Sequence, residues 1–386
     1  MTSLWSIAGL ALATTVALGF ARFAYGLILP AMRSDLHLTY ANAGVLNTLN
    51  SAGYLATTLA APWLARRFGH RAVFSVGMFG TALALLACGF TRNFALLSVL
   101  RLVAGATGAC AFVLGGALVA AGRYGIGGRA SSALSIYVGG GGLGIAVSAL
   151  TVPWALAHSG WQMAWLVLGL FSLLASVLSV MALQHIPLPA VKSAQLANWS
   201  ARPMLALLAS YAMFGVGYII YVTFIIVYLR NIRHFSDAGI TGFWLVLGLT
   251  AILASFVWGA ILSRLRAGWG AVATNGLSAT GAALPLLWSS PVAAYLSAVL
   301  FGAAFLAVVA AVTTFARRAA PPFAWTRVIS LLTVCFGVGQ VIGPYLAGRI
   351  ADGPGGMSAG IGLAAGFLAL GAGLAMFQQH IVHSHE

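Results

Sequence analysis

Acidic residues are nearly missing from this 386-residue sequence, which holds four, Asp35, Asp237, Asp352 and Glu386, against 19 lysines and arginines. None of the four lies inside a long apolar run, so no nucleophile, base and orienting group can be assembled, and an enzyme is not expected. Charge of either sign is also scarce, at 6 % of residues against 61 % hydrophobic. A soluble domain carries about 25 % charged residues, and this chain has far more apolar surface than such a domain could hide from water. Cysteine is sparse: Cys88, Cys110 and Cys335 all fall inside apolar stretches, which supports neither a disulfide framework nor a metal site. The histidines, His37, His70, His158, His185, His234, His380, His383 and His385, sit in loops, at span edges or in the tail, so a buried proton relay is not expected. The closely spaced His380, His383 and His385 read as a solvated tail rather than a metal site. No basic tract or aromatic-basic module accompanies the net charge of +15, so nucleic acid is excluded as a partner. No cofactor is implied.

What the sequence does have is apolar runs long enough for α-helices to cross a hydrocarbon core, which takes about 20 residues each. The runs are continuous rather than alternating, which excludes a β-barrel and leaves helices as the way to satisfy the backbone in lipid. Spans are expected near 5–29, 40–65, 72–91, 94–121, 131–157 and 161–183, then near 204–229, 238–263, 270–288, 291–316, 325–351 and 357–379. The N-terminal run lacks a positive n-region and extends to Pro30, which reads as a first span rather than a cleaved leader. The polar interval at 185–203 reads as a linker, giving bundles at 1–184 and 204–386. Twelve cationic residues, among them Arg66, Arg67, Arg71, Arg264, Arg317 and Arg318, fall in loops on the side of the termini; five, Arg33, Arg92, Arg230, Arg233 and Arg349, fall opposite. Cationic loops stay in the cytoplasm, so both termini are expected there.

The two sixes match each other. A shift of 196 residues lays Gly19-Phe-Ala-Arg-Phe-Ala-Tyr25 over Gly215-Val-Gly-Tyr-Ile-Ile-Tyr221, pairing Arg22 with Tyr218 and Tyr25 with Tyr221. A shift of 197 lays Trp63–Arg67 over Ala260–Arg264, and Gly142 and Ile145 over Gly339 and Ile342. Parallel six-helix repeats place a binding site between the halves near mid-membrane.

The stretch Leu64-Ala-Arg-Arg-Phe-Gly-His-Arg71 resembles the loop signature of the major facilitator superfamily, G-x-L-A-D-R-x-G-R-R, with Arg67, Gly69 and Arg71 in place. Pro62 and Arg66 replace its first Gly and its Asp, and in the second half Gly259 and Arg264 fit while Ser263 replaces the acid. Arg101-Leu-Val-Ala-Gly105 is similar to the superfamily's R-x-x-x-G element, and Gly339-Gln-Val-Ile-Gly-Pro344 to a pattern linked to antiporters but placed here in the eleventh span. The first and seventh spans resemble the bacterial YbfB/YjiJ-type branch. The resemblance implies an all-α membrane protein of twelve transmembrane helices in two pseudo-symmetric six-helix bundles. It also implies that Arg67, Gly69, Arg71 and Arg264 act in conformational change, and that spans one, four and seven line a central cavity.

Only Arg22 and Arg101 are cations within spans. A mid-bilayer Arg costs about 2.5–3.5 kcal/mol on translocon scales and so faces a cavity or a partner. With no acid at their depth, an anionic substrate would supply the missing charge, and guanidinium groups bind carboxylates two-pronged. Tyr25, Tyr218 and Tyr221 offer apolar bodies with hydroxyl tips, and Asn50, Tyr54, Tyr137 and Gln340 are further polar candidates for the substrate site. The expectation is a monomeric secondary active or facilitative transporter. It would move a small organic anion, a carboxylate first, across the bacterial inner membrane by alternating access, with the lipid bilayer and the substrate as its partners. An exporter of amphipathic or drug-like compounds stands second, and a non-transporting ligand sensor third.

Overall fold

The computed structural model describes residues 4–122, 129–184, 200–321 and 324–379. Most of the expected linker, the tail histidines and Glu386 lie outside the described residues, as do Arg123 and Lys192.

Helix follows helix through the described chain. α1 is Trp5–Asp35, α2 Tyr40–Phe68, α3 His70–Gly89 and α4 Phe94–Ala121. The next helical stretch, Arg129–Leu183, breaks at Ser159 and at Gly160, whose φ of 77° suits glycine, so it forms two rods, α5 (129–158) and α6 (161–183). α7 is Leu205–Asn231, α8 Asp237–Arg264, α9 Trp269–Leu287, α10 Pro291–Ala319, α11 Trp325–Ala351 and α12 Gly356–Met376. Side-chain caps mark several starts at the end remote from the termini. Thr39, Asn93, Ser236 and Ser290 accept from backbone N–H groups of α2, α4, α8 and α10, which satisfies donors a helix start leaves free.

Among the described residues, nine helical stretches are long and apolar enough to cross a membrane, with the α5–α6 stretch counted once. α2 and α9 are not among them. α2 loses hydropathy because Asn47, Asn50 and Ser51 turn into the protein, where they are buried. Large apolar side chains such as Leu83, Leu170, Leu253 and Leu370 instead point outward with at least half their surface exposed, as a lipid-facing surface requires.

α1 runs on through Pro30 to Asp35, beyond the span end expected at residue 29. Pro30 lacks the N–H that would bond the carbonyl of Gly26 four residues before it, and Gly26 itself lies against the α7 backbone, where a Cβ would collide with the Val222 carbonyl oxygen.

The helices form two bundles that meet along three seams. α1 packs on α7, α2 on α11 and α5 on α8. The α2–α11 and α5–α8 seams exchange places under the sequence repeat, as two pseudo-symmetric bundles demand. The α2–α11 seam is tight at the end remote from the termini. There Gly44 of α2 lies against Pro344 of α11, with no room for a Cβ, and Asp352 accepts hydrogen bonds from the Tyr40 and Ala41 N–H groups at 2.8 and 2.9 Å. A carboxylate from one bundle thus caps a helix of the other.

Candidate functional site

The centre of the molecule is organised by an irregularity in α1. Thr15–Phe23 is a π-helical segment, with Ala24 N–H bonded to the Gly19 carbonyl at 2.8 Å, five residues back. Thr14 and Thr15 pin its start to α5 by donating to the Tyr137 and Gly140 carbonyls at 2.5 and 2.8 Å. Widened turns of this kind recur at functional sites, and this one carries Arg22 near the middle of the helix.

Arg22 is 3 % exposed and reaches three other helices. Its Nε donates to Asn50 Oδ1 of α2 at 3.5 Å, and one terminal nitrogen donates to the Tyr218 hydroxyl of α7 at 3.2 Å and to Gln340 Oε1 of α11. The guanidinium carbon sits 4.3 Å from the centre of the Tyr54 ring, a cation–π contact. Tyr218 donates to Gln340 Oε1 at 2.9 Å, closing a triangle across the bundle interface. Two buried donors in this cluster have no partner: the second terminal nitrogen of Arg22 and Nε2 of Gln340. The described carboxylates are far away. Asp35 pairs with Arg92 at 2.6 Å, Asp237 pairs with Arg230, and Asp352 caps α2, all at the end remote from the termini.

Arg101 is fully buried one layer away, with protein groups around it. It donates to the Ala21 carbonyl, inside the π-helical segment, and to Asn47 Oδ1 at 3.2 Å. Its guanidinium carbon lies 4.8 Å from the Tyr25 ring centre and 5.3 Å from Trp165. Asn50 joins the two arginines by donating to the Arg101 carbonyl at 3.1 Å, and Asn47 donates to Thr223 of α7 at 2.6 Å. Arg101 thus grips the backbone next to Arg22.

The structure brings Arg22, Asn50, Tyr54, Tyr218 and Gln340 together. The other three tyrosines go elsewhere. Tyr25 donates to the Ala43 carbonyl at 2.7 Å and stacks on Trp165 in the Arg101 layer. Tyr221 bonds Ser297 at 2.5 Å inside the second bundle, and Tyr137 donates to the Phe112 carbonyl inside the first. Arg67, Gly69, Arg71 and Arg264 lie at exposed helix ends on the side of the termini, Gly69 with φ 84° in the tight turn between α2 and α3. Among the cations on that side, Arg318 donates to the Leu265 and Ser263 carbonyls at 3.1 and 3.3 Å where α8 finishes.

An aromatic column that no motif announces adjoins Arg22. Tyr211, Phe214, Phe336 and Tyr218 stack with neighbouring centroids 4.7–6.0 Å apart and planes within 18°. Phe305 extends it from Tyr218 and meets Phe23 edge-on. Phe305, Phe336 and Trp165 carry no signal in the sequence beyond being aromatic residues in spans.

A membrane bundle of paired six-helix halves, with a polar cluster where they meet, is the architecture of a secondary transporter. A family model described as "Uncharacterised MFS-type transporter YbfB" matches residues 14–376, and the chain belongs to that family of major facilitator superfamily transporters. Among solved structures, a bacterial homolog to the human lysosomal transporter Spinster, inward-facing and occupied, superposes with a TM-score of 0.74 over 96 % of each chain at 15 % identity. The nucleoside transporter NupG superposes with a TM-score of 0.75 over 97 % of this chain and 98 % of its own, at 14 % identity. In sequence, a gallate transporter of Pseudomonas putida is 31 % identical over 160 residues, 40 % of this chain and 34 % of that protein. The chain thus spans about a third of the length of that relative. The protein is a multi-pass membrane transporter of the major facilitator superfamily.

Proposed function

We propose that the protein carries a small organic anion, a carboxylate, across the bacterial inner membrane by alternating access, with Arg22 as the anion-binding group. The carrying observation is the pair of buried donors without partners, on Arg22 and Gln340, beside a guanidinium that no described carboxylate neutralises. Burying an unpaired charge is costly, and a carboxylate with two oxygens would satisfy both donors and the charge at once. The match to a gallate transporter, itself a carrier named for an organic acid, supports the same class.

In this reading residues 1–184 and 204–386 rock as two bodies of one monomer about the seam at Arg22, joined by a linker at 185–203, with both termini cytoplasmic. Arg67, Gly69, Arg71 and Arg264 sit where the loops must bend. Asn50, Tyr54, Tyr218 and Gln340 complete the substrate site, Arg101 and Tyr25 brace it, and Tyr137 and Tyr221 serve packing. The aromatic column alone would suit export of amphipathic compounds, but the guanidinium repels the cations typical of that class.

The test is uptake of labelled carboxylates into proteoliposomes. Arg22→Gln abolishes uptake while the purified protein remains folded; uptake at the parent rate by a folded variant rejects the proposal.

A further inference from the structure

We infer that the anion is an aromatic monocarboxylate, held by Arg22 and Gln340 at its carboxylate and by Tyr218, Phe305 and Phe336 at its ring. The inference rests on the anion reading above and adds what the ligand's body must be.

The site already holds a ring with an oxygen at Arg22. Tyr218 presents its hydroxyl to the guanidinium at 3.2 Å while its ring lies in the aromatic column. The step between Tyr218 and Phe305 is the loosest stacked step of that column, at 6.4 Å between centroids and 21° between planes, against 4.9 Å from Tyr218 to Phe214 and 5.2 Å from Phe305 to Phe301. It adjoins the hydroxyl that Arg22 binds. A flat ring that parts Tyr218 from Phe305 would stack on both, and such stacking rewards planar over puckered bodies of equal apolar area.

Charge sets the number of carboxylates. Beside the Arg22 guanidinium the unpartnered donors are its own second terminal nitrogen and Nε2 of Gln340; Arg101, one layer away, leaves only its Nε unpartnered. The other cation at this depth, Arg101, has both terminal nitrogens committed to Ala21 and Asn47. One free fork matches one carboxylate.

Tyr54, Phe112 and Phe336 are partly exposed while Arg22, Tyr218 and Gln340 are buried, so in this reading a ring meets aromatic surface before its carboxylate meets the guanidinium.

The experiment is equilibrium binding to the purified full-length protein, read by thermal stabilisation and by calorimetry. It uses four probes: benzoate, cyclohexanecarboxylate, propionate and the uncharged benzamide. Benzoate is expected to bind at least tenfold more tightly than cyclohexanecarboxylate and propionate, and benzamide not to bind. Phe305→Leu and, separately, Phe336→Leu should each shrink the ratio of benzoate to cyclohexanecarboxylate to threefold or less without abolishing binding of either acid. Equal affinity for benzoate and cyclohexanecarboxylate, lost in Arg22→Gln, overturns the ring and leaves the anion reading standing. Benzamide binding as tightly as benzoate, or benzoate affinity unchanged in Arg22→Gln, overturns the anion reading and this inference with it, as does failure of every carboxylate to bind a folded protein.

Discussion

Arg22 and Tyr218 are 196 residues apart, the offset that superposes the two halves of the sequence, and their side chains hydrogen-bond to each other at 3.2 Å. Gly26 and Val222, separated by the same offset, touch one turn further along α1 and α7. Repeat-related residues meet each other only where the pseudo-twofold axis passes. The axis therefore runs between α1 and α7, and the guanidinium lies beside it.

Replacing Arg22 by lysine separates charge from geometry. Lysine keeps the positive charge but cannot reach Asn50, Tyr218 and Gln340 from one planar fork. Anion affinity should fall at least tenfold in Arg22→Lys, measured by calorimetry. Affinity equal to that of the parent would show that a point charge suffices.

Arg101 should matter more to folding than to recognition. Arg101→Gln leaves the Ala21 carbonyl and Asn47 short of a buried donor, at about 1–3 kcal/mol for each group left unsatisfied. The thermal midpoint of purified Arg101→Gln should drop well below that of Arg22→Gln. The reverse order would assign Arg101 to the ligand.

Gly44→Ala tests the seam between α2 and α11. The new Cβ cannot share space with Pro344, so the helices must part at the end remote from the termini. A cysteine at Thr48, whose hydroxyl bonds the Val341 carbonyl across this seam at 2.8 Å, should then react faster with a membrane-impermeant maleimide. Unchanged labelling would mean that the seam yields elsewhere.

Asp352→Asn probes the same closure chemically. The carboxylate receives two N–H groups at the start of α2, whereas an amide offers one acceptor and no charge to the helix dipole. The same cysteine should label faster, by less than with Gly44→Ala. Slower labelling would contradict a latch.

Arg318→Ala should loosen the end of α8. Cations bound to terminal carbonyls contribute about 0.3–1 kcal/mol, so hydrogen exchange in the last turn, near Leu262 and Ser263, should accelerate several-fold while α12 is unaffected. Equal protection in the two proteins would show the cap to be idle.

The fold was legible because hydropathy and duplication are both one-dimensional signals: runs of apolar residues locate helices, and the 196-residue offset pairs them. Arg22, Tyr218 and Gln340 could be singled out because a polar or charged residue inside an apolar run has few inexpensive places to go. Direction around a helix was not legible. Tyr218 and Tyr221 are three residues apart, yet one faces Arg22 and the other Ser297, and a single π-helical segment in α1 changes the phase of every residue after it. Nor could the sequence announce Phe305 and Phe336, since aromatic residues in spans serve packing as readily as binding. The separate duties of the two arginines depend on which carbonyls and amides surround them, which only three dimensions supply.

The unbalanced guanidinium on α1 has an electrical side. A carrier whose empty centre holds two positive charges that no carboxylate balances, on Arg22 and Arg101, must move them through part of the transmembrane field when it reorients, and a full traverse costs or yields about 2.3 kcal/mol per 100 mV for each charge. Seating a monoanion removes one of the two charges, so the loaded form would feel the voltage less than the empty form. A protein built in this way returns more readily with cargo than without, and its flux should be steeper in the presence of anion on the far side than in its absence.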